Sequence, residues 1–206
     1  MLKFIKNIIG RINVASSLMR SVLIKLIFQS PRILKYRILS DCLNVQGTPK
    51  YNYPAVLAGE GSIRFGRNVN LGVRTSPGFY CGYGYIEARN KLSKITIGND
   101  VWINNNFVIV SEGEGIDIGD KTLIGINVEI IDTNSHDLHP SRRTSGAPET
   151  KKVSIGKNVF IGANVKILKG VTIGDNSVIA NGALVSKSVP ENVVAGGFPA
   201  KVIRSL

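Results

Sequence analysis

From Ile97 onward the chain repeats every six residues, reading IGNDVW, INNNFV, IGDKTL and IGINVE, then, after an interruption, IGKNVF, IGANVK, ILKGVT, IGDNSV and IANGAL. Ile155, Ile161, Ile167, Ile173, Ile179 and Val185 recur without a slip. A period of six fits neither an α-helix nor a plain strand, so each hexapeptide must hold a short strand and a turn. Three hexapeptides close one triangular coil, with each aliphatic anchor pointing inward onto the anchor 18 residues later. Successive coils then pair as parallel strands about 4.8 Å apart. The glycines that follow anchors, Gly156, Gly162 and Gly174, are expected to form the sharp corners. The expectation is an all-β solenoid. Coils start at Ile97, Ile118, Ile155 and Ile173, and Phe65-Gly66 and Leu71-Gly72 suggest an irregular earlier turn. Upstream of that turn the sequence does not set the register.

The 206 residues suit one domain and a short appendage. With 43% hydrophobic residues and 22 glycines, the chain is neither disordered nor collagen-like. Its net charge of +12 is concentrated at one end. Residues 1–40 carry eight cations (Lys3, Lys6, Arg11, Arg20, Lys25, Arg32, Lys35 and Arg37), and the first acid is Asp41. Subtracting these eight from +12 leaves +4 for residues 41–206. This division sets the expected boundary between an arm, 1–40, and the solenoid, 41–206.

On a helix, Ile5, Ile8, Ile9, Ile12, Met19, Val22, Leu23, Leu26 and Ile27 share one side, opposite Lys3, Lys6, Arg11 and Lys25. The arm is therefore a basic amphipathic helix, expected to break at Pro31. Such a helix either lies in a membrane interface, through residues 1–30, or packs on its own domain or a neighbouring subunit. Its longest apolar run, Val22–Phe28, is interrupted by Lys25 and is too short to span a bilayer. The charge lies on a hydrophobic-faced arm without a nucleic-acid reading motif, so no nucleic acid is expected. Two distant cysteines, Cys42 and Cys81, make no disulfide framework, and a cytoplasmic location is the default.

Two excursions break the period. Three residues beyond 18 separate Ile97 from Ile118, around Ser111–Gly115, and a longer loop, 132–152, separates Ile130 from Ile155. Loops leaving a rigid scaffold commonly carry function. The second reads DTNSHDLHP and holds the chain's two histidines, His136 and His139. Imidazole has the pKa for removing a hydroxyl proton near neutral pH, as acyl transfer to an alcohol requires.

The repeat, NSHDLHP and the terminal GGFPAKVIR together resemble the hexapeptide-repeat acetyltransferases, in particular the galactoside, maltose and polysaccharide O-acetyltransferases. The resemblance runs from about residue 60 to the C-terminus. It implies a left-handed parallel β-helix, assembled as a homotrimer, that uses acetyl-CoA as co-substrate. It makes His136 the general base, and His139 a loop or acceptor-side residue. The stretch INNNFV is similar to a segment in which asparagine holds the sugar, which points to Asn104; the alternative is that the three asparagines form a solvent-side ladder. Glu112 matches an acidic acceptor contact, with Ser111 as the option if the alignment slips by one. Ala163, Asn181, Ser186, Lys187, Lys201 and Arg204 match cofactor-contacting positions, and a backbone N–H at Gly162-Ala163 is the implied oxyanion donor. Phe160 stands where the family has tryptophan. Tyr80, Tyr83 and Tyr85 either stack on sugar rings or cap the first coil.

The implied function is acetyl-CoA-dependent O-acetylation of a sugar or glycan in capsule, lipopolysaccharide or exopolysaccharide assembly. The arm motivates that setting, because an interfacial helix keeps an enzyme near lipid-linked saccharides. The alternatives are a non-catalytic β-helix scaffold and a transferase that uses acyl carrier protein. A γ-type carbonic anhydrase needs three histidine ligands and the chain has two, so no metal is expected.

Overall fold

The computed structural model describes residues 19–206. The stretch Ile5–Ile12 of the expected apolar stripe lies outside the described residues. From residue 44 the chain winds as a left-handed parallel β-helix of three sheets. The first sheet stacks Asn44–Gln46, Ser62–Phe65, Lys94–Ile97, Ile116–Ile118, Val153–Ile155 and Thr172–Ile173. The second stacks Lys50–Tyr51, Asn70–Leu71, Trp102–Ile103, Leu123–Ile124, Phe160–Ile161, Val178–Ile179 and Val193–Gly197, with Ala200–Ser205 added antiparallel at its end. The third stacks Ala55–Ala58, Gly84–Ala88, Val108–Ser111, Glu129–Ile131, Lys166–Ile167 and Leu184–Val185.

The anchors fall in register across both excursions: Ile97 pairs with Ile118, Ile118 with Ile155, and Ile155 with Ile173. On the second sheet Leu71, Ile103, Ile124, Ile161 and Ile179 form the matching column. These side chains are buried, and each contributes about 1.5–3 kcal/mol of hydrophobic stabilisation. Two coils precede the repeat, where only an irregular turn was expected. Val45 pairs with Ile63, and Ile63 with Ile95. A third excursion, residues 72–83, interrupts the second of these coils, between the strands Asn70–Leu71 and Gly84–Ala88.

The corners are built differently from the expectation. Gly156 and Gly162 do not have positive φ; the left-handed residue lies three positions after the anchor and is Asn158 (φ 55°), Asn164 (58°) or Asn176 (60°). Asparagine tolerates this region better than most residues because its short amide bonds locally. The amides also form ladders: Asn158 Nδ2 donates to Asn176 Oδ1 at 3.0 Å, and Asn176 Nδ2 to Asn192 Oδ1 at 2.9 Å. The glycine after the anchor answers a different demand. A Cβ on Gly156 would stand 2.3 Å from Asp175 Oδ1 and 2.8 Å from its backbone nitrogen, so the next coil approaches too closely for any side chain.

Helix covers residues 19–38, with a π-helical turn over Lys25–Gln29 and an α-helix over Ser30–Ile38. Pro31 therefore does not break the helix. It sits in the first turn of the α-helix, where its missing N–H is tolerated, and the wide turn before it carries the chain through, with Ser30 N–H reaching Lys25 O. The helix docks by polar groups. Buried Gln29 donates Nε2 to Asn52 O (2.9 Å), and Arg32 reaches Phe79 O (3.0 Å) and Gly82 O (2.6 Å). Tyr36 stacks on Tyr83 with ring centroids 4.5 Å apart. Meanwhile Val22, Leu23, Leu26, Ile27 and Phe28 are exposed. Gln29 and Arg32 thus face the domain, while most of the apolar residues from 22 to 28 are left exposed.

Candidate active site

A triangular prism has three corner columns, and the sequence-predicted residues fall on two of them. His136, Glu112, Ser186 and Lys187 follow strands of the third sheet, where the chain turns toward the first. Asn104, Ala163 and Asn181 lie where the second sheet turns into the third. One side of the triangle separates the columns, on the order of 15 Å for five residues of extended chain. Lys201 pairs opposite Gly196 near the Asn181 corner, and Arg204 lies farther along the same strand, opposite Val194. One chain alone does not bring His136 to Asn104 or Ala163.

The His136 corner is held by a residue the sequence reading missed. Asp132 is fully buried, and its Oδ2 accepts from Ser111 Oγ (2.7 Å) and Gly115 N–H (2.8 Å), while Oδ1 accepts from Glu112 N–H (2.7 Å). One carboxylate therefore ties the Ser111–Gly115 excursion to the root of the 132–152 loop. The loop's two strands are tied at its base, with Asn134 N–H on Glu149 O and Lys151 N–H on Asp132 O. The available signal was an acid placed directly after the inward Ile130 and its neighbour Ile131.

Ser111 is buried and its hydroxyl donates to Asp132. Glu112 Oε2 accepts from Arg89 Nη1 (3.0 Å) and Thr133 Oγ1 (2.8 Å). Thr133 Oγ1 in turn accepts the N–H of Ser135, which has φ 61°, immediately before His136. The carboxylate and the histidine loop are thus parts of one hydrogen-bonded unit.

The exposed His136 ring places Nδ1 3.0 Å from the carbonyl of Arg143. A carbonyl only accepts, so Nδ1 carries a hydrogen, and in the neutral tautomer that makes this contact the lone pair is on Nε2. Neighbouring Asp137 plays no part in this. Its Oδ2 accepts from Arg142 (2.8 Å) and its Oδ1 from His139 N–H (2.8 Å), contacts that hold its carboxyl below the usual aspartate range. His139 Nδ1 lies 2.9 Å from Ser141 Oγ.

At the other corner the asparagines divide their work. Buried Asn105 holds the third excursion, accepting Val73 N–H (3.1 Å) and donating to Pro77 O (2.9 Å). Asn106 accepts from Tyr53 OH, and burial pushes that phenol up to about 12. Half-buried Asn104 accepts Asn105 N–H at 2.8 Å. They are not a simple ladder. Tyr83 stacks on the helix, so of the two readings of the tyrosines, packing describes Tyr83.

At the implied oxyanion donor, Gly162-Ala163, both N–H groups have partners within the chain. Ala163 N–H donates to Asn181 Oδ1 (2.8 Å) and Gly162 N–H to Ile179 O (2.8 Å), because this corner is stitched to the next coil. Among the described residues, the buried side-chain polar atom without a partner is Asn134 Nδ2, two residues before His136. Exposed Lys187, Lys201 and Arg204 make no ion pair among the described residues, which fits a polyphosphate ligand. No group of three or more His, Cys, Asp or Glu able to hold a metal lies among the described residues.

Residues 152–187 match the family described as bacterial transferase hexapeptide (six repeats). The chain is 42% identical to the galactoside O-acetyltransferase of Escherichia coli K12 over 130 residues, 63% of this chain and 59% of that one. It thus spans about three-fifths of that relative's length. It is 32% identical over 163 residues to WbbJ of the same organism, a protein named for lipopolysaccharide biosynthesis O-acetyl transfer, covering 74% of this chain and 76% of WbbJ. Among solved structures, a galactoside acetyltransferase in complex with coenzyme A superposes with a TM-score of 0.51 at 33% identity, over 79% of this chain and 64% of that one. With the repeat, the solenoid and these relatives in agreement, the chain belongs to the hexapeptide-repeat acetyltransferases.

Proposed function

We propose that this protein is an acetyl-CoA-dependent O-acetyltransferase acting on a sugar hydroxyl, in capsule, lipopolysaccharide or exopolysaccharide assembly. The observation that carries the reading is the His136 ring, oriented through Nδ1 with Nε2 left to accept a proton. The acceptor hydroxyl gives its proton to Nε2 as its oxygen attacks the thioester carbonyl, and the C–S bond then breaks. The departing thiolate takes the proton from the imidazolium, which restores the base. Acetyl-CoA supplies the activated acyl group. Glu112 and Asn104 hold the acceptor, while Ala163, Asn181, Ser186, Lys187, Lys201 and Arg204 hold the coenzyme.

The working unit is a homotrimer, because the His136 and Asn104 corners meet only between subunits. The prism's faces support this. Leu123 and Phe160 form an exposed apolar pair on the second sheet, whereas the first sheet shows Arg64, Thr96, Asp117 and Ser154. The outward apolar side of the N-terminal helix supports peripheral contact with the cytoplasmic face of a membrane. No helix among the described residues is long and apolar enough to cross a membrane.

Mass spectrometry of candidate glycans incubated with acetyl-CoA tests the reaction. Wild type adds the mass of one acetyl group, and His136→Ala slows this by roughly 10²–10⁴-fold with acetyl-CoA binding retained. Equal product from both proteins eliminates the proposed base.

A further inference from the structure

A groove of about 350 Å³ runs between the N-terminal helix and the outer face of the second sheet. Ser21, Ile24 and Lys25 form its helical side, and Lys50, Arg74 and Trp102 face them, with Phe79 and Tyr80 beside them. Its volume falls within the range of small-molecule sites. Three cations line it and no acidic side chain does among the described residues. None of the three is in an ion pair among those residues either. Like charges facing one groove repel one another, and an anion bound between them converts that repulsion into attraction.

The aromatic content specifies more. Trp102 and Tyr80 are about half exposed, and flat apolar faces of this kind suit the C–H faces of a sugar ring. Trp102 is two residues from Asn104 at the end of the same short strand. The groove is therefore continuous in sequence with the corner that the proposed function assigns to the acceptor. A neutral sugar would gain nothing from the three cations lining the groove, whereas a phosphate ester would.

We propose that this groove binds the phosphate or pyrophosphate of a phosphorylated sugar acceptor, with Lys25, Lys50 and Arg74 on the phosphate and Trp102 against the sugar. This rests on the reading of Asn104 as an acceptor-side residue and extends it to a substrate class. Nucleotide-linked and lipid-linked saccharides both carry this chemistry.

Trp102 is the chain's only tryptophan, so its fluorescence reports on the groove directly. The full-length protein is titrated with inorganic pyrophosphate, a nucleoside diphosphate sugar, methyl glucoside, and vesicles with or without a polyprenyl phosphate. Pyrophosphate is expected to give a saturable change that methyl glucoside does not give. Lys50→Gln/Arg74→Gln weakens that binding by about 100-fold, roughly tenfold per cation, and Lys50→Arg/Arg74→Lys restores most of it. Tighter binding of the nucleotide sugar identifies a nucleotide-linked acceptor, and a response specific to polyprenyl phosphate vesicles identifies a lipid-linked one. No saturable response to pyrophosphate, or one that survives the glutamine substitutions, overturns the proposal. Because the readout is binding, His136→Ala responds like wild type. A protein that acetylates a neutral glycan without binding pyrophosphate refutes the groove alone, and one that binds pyrophosphate without acetylating any glycan refutes the transfer reaction alone.

Discussion

A carboxylate taken wholly out of water is tolerated only when donors replace its hydration, and Asp132 has a hydroxyl and two close backbone N–H groups around it. Removing it leaves Ser111, Glu112 and Gly115 with buried donors and no acceptor. Asp132→Ala is expected to lower the unfolding free energy by about 2–4 kcal/mol and to cut turnover, since the same carboxylate fixes the root of the His136 loop. Chemical denaturation with parallel rate measurements checks this; unchanged stability would mean that the hub carries no load. At this scale the sequence spoke through chemistry rather than placement. His136 was legible because imidazole suits the proton transfer and the loop breaks a regular repeat. Its orientation was not, because the partner is a backbone carbonyl seven residues away, invisible to any reading of side-chain types.

At the scale of elements, period six was decisive because only aliphatic side chains fit an interior stacked from the same positions of every coil. The corners were harder to read. Gly156 and Asn158 occupy the same turn, one admitted by close approach of the next coil and the other by its left-handed backbone, and composition alone does not separate the two causes. The arm was legible as an amphipathic helix, but not the direction its faces take, since that depends on Gln29 and Arg32 finding carbonyls on the excursion at 72–83. The outcome is an apolar surface turned to the outside. Ile27→Glu/Phe28→Glu, at exposed positions, is expected to abolish flotation with anionic phospholipid vesicles while leaving the melting temperature within a degree or two of wild type. Undiminished flotation would assign this face to a protein neighbour instead.

For the molecule as a whole, the prism explains why a single chain holds the parts of a site without assembling it. His136, Glu112, Ser186 and Lys187 stand on one corner column, Asn104, Ala163 and Asn181 on another, and one side of the prism keeps them apart. In the proposed homotrimer, rotational symmetry would set one column of each subunit against the other column of its neighbour. Mixing two crippled proteins tests that arrangement most directly. His136→Ala and Asn104→Ala, each with sharply reduced kcat/KM, are unfolded together in equal amounts and refolded. Random assembly leaves about one interface in four with both residues intact, so activity is expected to rise to about a quarter of wild type. A refolded mixture no more active than the average of the two variants would contradict a site shared between subunits.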